Sequence, residues 1–142
     1  MSGASPDLVL STPPFLRKGQ TTPWIMRQVL YALVPVLAMA WVYFGLSALA
    51  VTAAATAGCL LTEWLLDPLR PRGRSLRDLS AVVTGCLLGL VLPPGFPLWM
   101  AFVGGVAAIG MGKVLWGGLG QNPFNPALLG RAFLQAAFPA AI

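Results

Sequence analysis

The chain has 142 residues, of which 57% are hydrophobic and only 9% charged, with a mean hydropathy of +0.78. Soluble domains carry about 25% charged residues, and a chain with so few cannot cover a water-facing surface, so the composition excludes a soluble domain. The net charge of +5 does not signal nucleic-acid binding, because the arginines sit in loops beside apolar runs, where cytoplasmic loops of membrane proteins collect them.

Residues 1–28 read as a cytoplasmic N-terminal arm, extended as far as Met26. Ser11-Thr12-Pro13-Pro14-Phe15 is a turn or polyproline signal. Asp7, Arg17, Lys18 and four prolines leave no apolar stretch for a cleavable signal peptide. Residues 29–142 read as a transmembrane domain of about four to five membrane segments. The first predicted span, Val29 to Leu46, contains Pro35, a cause of kinking. A tight connection at Gly45–Ser47 leads to the second, Ser47 to Leu66, whose alanines and Gly58 allow close approach of other helices.

Asp67 to Asp78 is the one strongly charged loop, with Arg70, Arg72, Arg74 and Arg77. Two spans separate it from the basic arm, so both lie on one side, which the positive-inside rule makes the cytoplasm. Asp78 is expected to cap the following helix, since a carboxylate meets free N–H groups there. The third apolar segment, Leu79 to Leu92, is short for a span and ends at Pro93-Pro94. Interrupted segments of this kind point to binding sites in repeat-built transporters. Its Gly85 and Gly89 form a helix-packing pair. The fourth span, Leu98 to Leu115, carries a small-residue stripe (Gly104, Ala108, Gly112) and is bracketed by Trp99 and Trp116 as interfacial aromatics. A final helix runs from Ala127 to Phe138, with Pro126 at its first position.

Between these last helices lies Gly117-Gly118-Leu119-Gly120-Gln121-Asn122-Pro123-Phe124-Asn125-Pro126. Glycines free the backbone and prolines break any helix, and non-helical backbone at membrane depth survives only where it is buried in protein or lines a cavity. The segment therefore reads as a site. The amides of Asn122 and Asn125, held by neighbouring prolines, match the carbonyl and imide edge of a planar heterocycle. Capping of the next helix by Asn125 is the competing reading at equal weight. Phe124 is expected to anchor the loop in lipid or to stack on a ring, with anchoring favoured. Lys113 and Arg131 stand near the two ends of the segment, able to contact an anionic group, although snorkelling to the interface is the commoner fate. Glu63, in the last turn of the second span, is expected to be solvated or arginine-paired rather than an ion ligand. Cys59 and Cys86 read as small buried hydrophobes. No metal-ligand cluster, phosphate loop or nucleophile–base pair is visible.

The run from Asp78 to Gly85, then Leu92-Pro93-Pro94, Pro97-Leu98-Trp99-Met100, and above all Gly112 to Leu134 resemble the RnfD/NqrB family, with Gly-Leu-Gly-Gln-Asn-Pro-Phe-Asn-Pro favouring the RnfD branch. Pro13-Pro14-Phe15 is similar to the family's N-terminal element. The resemblance implies an all-α, multi-pass fold, one half of an inverted repeat similar to urea transporters. It implies a subunit of an Rnf-type translocase in the bacterial inner membrane, one that couples electron transfer between ferredoxin and NAD to sodium or proton movement and works with other membrane subunits rather than as a free-standing enzyme. It further implies non-covalent riboflavin, with Asn122, Asn125, Phe124, Gly120 and Lys113 as contacts, and covalent FMN. The FMN-bearing threonine of the family lies in an SGAT-type motif beyond Ile142, so no residue here is assigned to it, and the chain is expected to be half of a split or truncated protein. Asp78-Leu79-Ser80 stands where the family commonly has Asp-Gly-Ser. The rival readings are a channel or solute transporter of the same architecture, and an assembly-only subunit without a redox role.

Overall fold

The computed structural model describes residues 21–66, 76–117 and 123–142. All regular elements among them are helical: α1 (Thr22–Phe44), α2 (Leu46–Leu66), a 3₁₀ turn (Leu76–Asp78), α3 (Ser80–Val91), α4 (Leu98–Gly112), a second 3₁₀ turn (Val114–Trp116) and α5 (Pro126–Ala137). Three stretches are long and apolar enough to cross a membrane: α1, α2 and Leu98–Trp116. The protein is an all-α, multi-pass membrane protein. The shorter α3 and α5, of 12 residues each, rise only about 18 Å at 1.5 Å per residue, against about 30 Å of hydrocarbon.

The first helix begins earlier than the sequence suggests. Thr22 to Met26 are helical rather than extended, with Thr21 in the extended N-cap conformation and Pro23 in the opening turn. A proline there sacrifices no hydrogen bond, so Thr21-Thr22-Pro23 starts a helix where proline content alone reads as arm. The helix then runs through Pro35 as one element. Gly45 alone separates α1 from α2. Its φ of 71° is a conformation that costs glycine nothing, and its N–H caps α1 on the Trp41 carbonyl at 2.8 Å.

Helix α2 is the centre of the bundle, packed against α3 on one face and α4 on another. The contacts are backbone-close because the residues are small. A β-carbon on Gly85 or Gly89 would collide with the Cα of Thr56 or Thr52 respectively, so the predicted glycine pair is the seam on which antiparallel α3 meets α2. On the other face Gly58 lies against the Phe102 carbonyl and Gly105 against that of Ala55, while the Cys59 thiol donates to the Gly105 carbonyl at 3.5 Å. Cys59 and Cys86 are both buried free thiols, as expected. The threonines on this helix satisfy themselves: Thr52, Thr56 and Thr62 donate to the carbonyls of Ala48, Thr52 and Gly58, which removes the cost of unpaired hydroxyls in an apolar seam.

Helix α5 returns antiparallel along α4. A β-carbon on Gly112 would meet Pro126 Cα at 2.8 Å, one on Gly130 would meet the Ala108 methyl at 2.7 Å, and one on Gly104 would run into Leu134. Further along, Trp99 and Phe138 pack edge to face with centroids 5.5 Å apart. The stripe Gly104, Ala108, Gly112 is therefore the groove that receives α5. Helix α1 is peripheral: none of its residues is buried, and Tyr31, Trp41, Val42 and Tyr43 are exposed, a face suited to lipid.

Candidate functional site

Ends of all five helices gather at one side of the bundle. Met26 from the start of α1, Ser80 and Thr84 from the start of α3, Lys113 after α4, and Asn125 and Pro126 at the start of α5 line a cavity of about 190 Å³. Glu63, from the last turn of α2, joins them through Lys113. The last turn of α2 and the starts of α1, α3 and α5 thus lie at the same end of the bundle as the end of α4.

The chemical centre is a buried cluster. The Lys113 ammonium donates to a carboxylate oxygen of Glu63 and to the Ser80 hydroxyl, the latter at 2.6 Å. Glu63 is 1% and Lys113 3% exposed. Two expectations are corrected here. Lys113 does not snorkel outward, and Glu63 is buried rather than solvated; the parallel packing of α2 and α4 brings the lysine beside it as an ion-pair partner, while the arginines of the other expectation, at 70, 72 and 74, lie outside the described residues. Neither buried charge is tolerable alone, so the helix pairing that joins them dictates where both side chains go. The signal was present in the sequence. Glu63 and Lys113 are opposite charges at same-side ends of two spans, and a charge in an apolar run needs a counter-charge.

Asp78 is not the cap of α3. It closes the preceding 3₁₀ turn, and Leu79 occupies the N-cap position with no side-chain cap bond. Leu79 has φ 58°, left-handed backbone that a leucine adopts at a cost of about 1–2 kcal/mol. Ser80 follows at the first helical position, where its hydroxyl accepts from Lys113.

Asn125 does cap α5: its Oδ1 accepts from the Ala127 N–H at 3.0 Å. The same residue lines the polar cavity beside Lys113 and, with Phe124, Leu128, Leu129 and Ala132, an apolar one of about 230 Å³. Phe124 is exposed. Asn122 and Gly120, like the arginines at 70, 72 and 74, lie outside the described residues. Arg131 is not at the rim of the asparagine segment; it sits well inside α5. The cavity thus brings together Lys113 and Asn125 from the expected site, and adds Ser80, Thr84 and Met26.

The sequence from residue 9 to residue 142 matches the model of the NQR2, RnfD, RnfE family. The chain belongs to this family. It is 44% identical over 133 residues to the D subunit of the Na(+)-translocating ferredoxin:NAD(+) oxidoreductase complex of Acetobacterium woodii, covering 94% of this chain and 42% of that protein. It is also 44% identical over 140 residues to the D subunit of the ion-translocating oxidoreductase complex of Alcanivorax borkumensis, covering 96% of this chain and 40% of the relative. To the protein of the same name from Erwinia tasmaniensis it is 39% identical over 132 residues, covering 92% and 37%. The chain spans about two fifths of the length of these curated relatives. Leu79, in Asp78-Leu79-Ser80, is the one non-glycine residue with positive φ among those described.

Proposed function

We propose that this chain is the N-terminal part of an RnfD subunit of an Rnf-type complex in a bacterial cytoplasmic membrane. There it assembles with other membrane subunits that couple electron transfer between ferredoxin and NAD to movement of sodium or protons, with its N-terminus on the cytoplasmic side. The observation that carries this reading is the 44% identity to D subunits of such complexes over nearly the whole chain. The chain contributes to a translocase and is not an enzyme by itself.

Within that complex we assign the cavity at the gathered helix ends to one wall of a riboflavin site. The residues present match the chemistry of an isoalloxazine edge. An amide (Asn125), two hydroxyls (Ser80, Thr84) and an ammonium (Lys113) line one side, and apolar Phe124, Leu128 and Leu129 lie on the other side of Asn125. At about 190 Å³ the polar cavity is below the roughly 300–1,000 Å³ of small-molecule clefts, so this chain supplies part of the enclosure and its partners the rest. Riboflavin held there would supply the electron-transfer chemistry, and the protein would supply binding, orientation and electrostatics. Capping uses the oxygen of Asn125, which leaves its NH₂ as the group to offer to a ring carbonyl. Lys113 is charge-balanced by Glu63, so it would act as a hydrogen-bond donor rather than as a net positive charge, a polarity suited to a neutral flavin. The FMN of the family is not assigned to any residue of this chain.

The test is the flavin content of the purified complex. Asn122→Ala with Asn125→Ala should abolish riboflavin retention while leaving the subunits assembled. Normal flavin content and electron transfer in that variant would overturn the site. A wild-type complex without flavin would favour a channel or solute transporter instead.

A further inference from the structure

Arg131 lies deeper than its position in the sequence suggests. The antiparallel ladder between α4 and α5 pairs Gly112 with Pro126, Ala108 with Gly130 and Gly104 with Leu134, which sets Arg131 level with Ala107. That is the midpoint of the membrane-length stretch Leu98–Trp116. At 1.5 Å per residue, Arg131 is about 14 Å from either end of that stretch, beyond the helix-end positions from which arginines snorkel. It is half-buried and flanked by an exposed stripe of Leu128, Ala132 and Gln135. An arginine at such depth pairs, or faces the bundle interior or water.

The chain has four carboxylates: Asp7, Glu63, Asp67 and Asp78. Glu63 is engaged by Lys113. Asp78 lies at the end of the bundle where α3 begins, and Asp7 and Asp67 lie outside the described residues. Among the described residues no carboxylate is placed at the depth of Arg131. Gln135, one turn further along α5, is an exposed amide that also needs a partner in hydrocarbon.

We infer that Arg131 is half of an ion pair whose carboxylate is carried by a membrane helix outside residues 1–142, docked on the Leu128–Ala132–Gln135 stripe of α5. Charge complementarity sets the chemistry of this occupant: an Asp or Glu near mid-membrane to meet the guanidinium, with apolar or small neighbours over Leu128 and Ala132. The relatives leave room for it, since this chain covers only 42% of the Acetobacterium woodii protein. The inference rests on the reading that the chain works inside a larger membrane assembly, but not on the flavin.

The experiment uses the intact complex in its native membrane. Arg131→Glu should lower recovery of assembled complex at least about tenfold, Arg131→Lys should retain most of it, and selection for suppressors of Arg131→Glu should return an Asp or Glu replaced by Arg or Lys in a membrane helix outside this stretch. In an otherwise unchanged protein, Gln135→Cys labelled with a benzophenone maleimide, on the same stripe but outside both cavities, should cross-link to that same helix, which keeps the test independent of misfolding and of the flavin site. Wild-type assembly of Arg131→Glu, or cross-links to phospholipid alone or to a second copy of this chain, would overturn the inference. A complex that lacks flavin but gives the expected cross-link would refute the flavin site alone; flavin retained without the cross-link would refute this pairing alone.

Discussion

Glu63 and Lys113 are 50 residues apart in sequence and form a buried ion pair that ties the end of α2 to the end of α4. Removing one partner leaves a bare charge in an apolar interior, which costs about 3–5 kcal/mol. Lys113→Met and Glu63→Leu should each destabilise the fold by that order. The double variant should recover much of the loss, because two apolar side chains replace a pair whose desolvation nearly cancels its attraction. A double-mutant cycle on unfolding of the detergent-solubilised protein measures the coupling. Additive single effects would show that the pair contributes nothing as a pair.

Leu79 holds left-handed backbone at φ 58°. Leu79→Gly should therefore be more stable than Leu79→Ala by about 1 kcal/mol, since only glycine relieves the strain. The comparison with alanine cancels the lost side-chain packing. Thermal unfolding of the two variants side by side checks it, and equal midpoints would count against a strained turn.

Asn125 has two separable duties. Asn125→Ala should cost about 1 kcal/mol by removing the cap of α5. Asn125→Asp keeps the capping oxygen and loses the amide donor, so the fold should hold while riboflavin retention falls. If the aspartate variant binds flavin as the wild type does, the amide is only a cap.

The glycines differ sharply in what they tolerate. A β-carbon on Gly89 would collide with Thr52 backbone, whereas one on Gly95 meets nothing within 4 Å. Gly89→Ala should push α3 off α2 and destabilise by about 1–3 kcal/mol, as overpacking does. Gly95→Ala should be close to neutral. Melting temperatures of the two variants provide the check, and similar losses at both positions would argue against the α2–α3 seam.

By itself the sequence determined that the chain lives in a membrane, where its main helices run, and the family to which it belongs. Those properties are local: apolar run length, loop charge and helix-breaking residues are each read within a short window. The glycine pair of α3 and the small-residue stripe of α4 were legible as packing faces for the same reason. Only the tertiary structure decided which faces meet, and that decided the chemistry. The parallel packing of α2 and α4 turned Glu63 and Lys113, read separately as a shallow acid and a snorkelling base, into one buried pair with Ser80 beside it. The ladder of α5 on α4 set Arg131 level with Ala107, midway along the membrane-length stretch Leu98–Trp116. A charge in hydrocarbon is governed by its depth and its partner, and both are set by segments distant in sequence, so no window along the chain contains them.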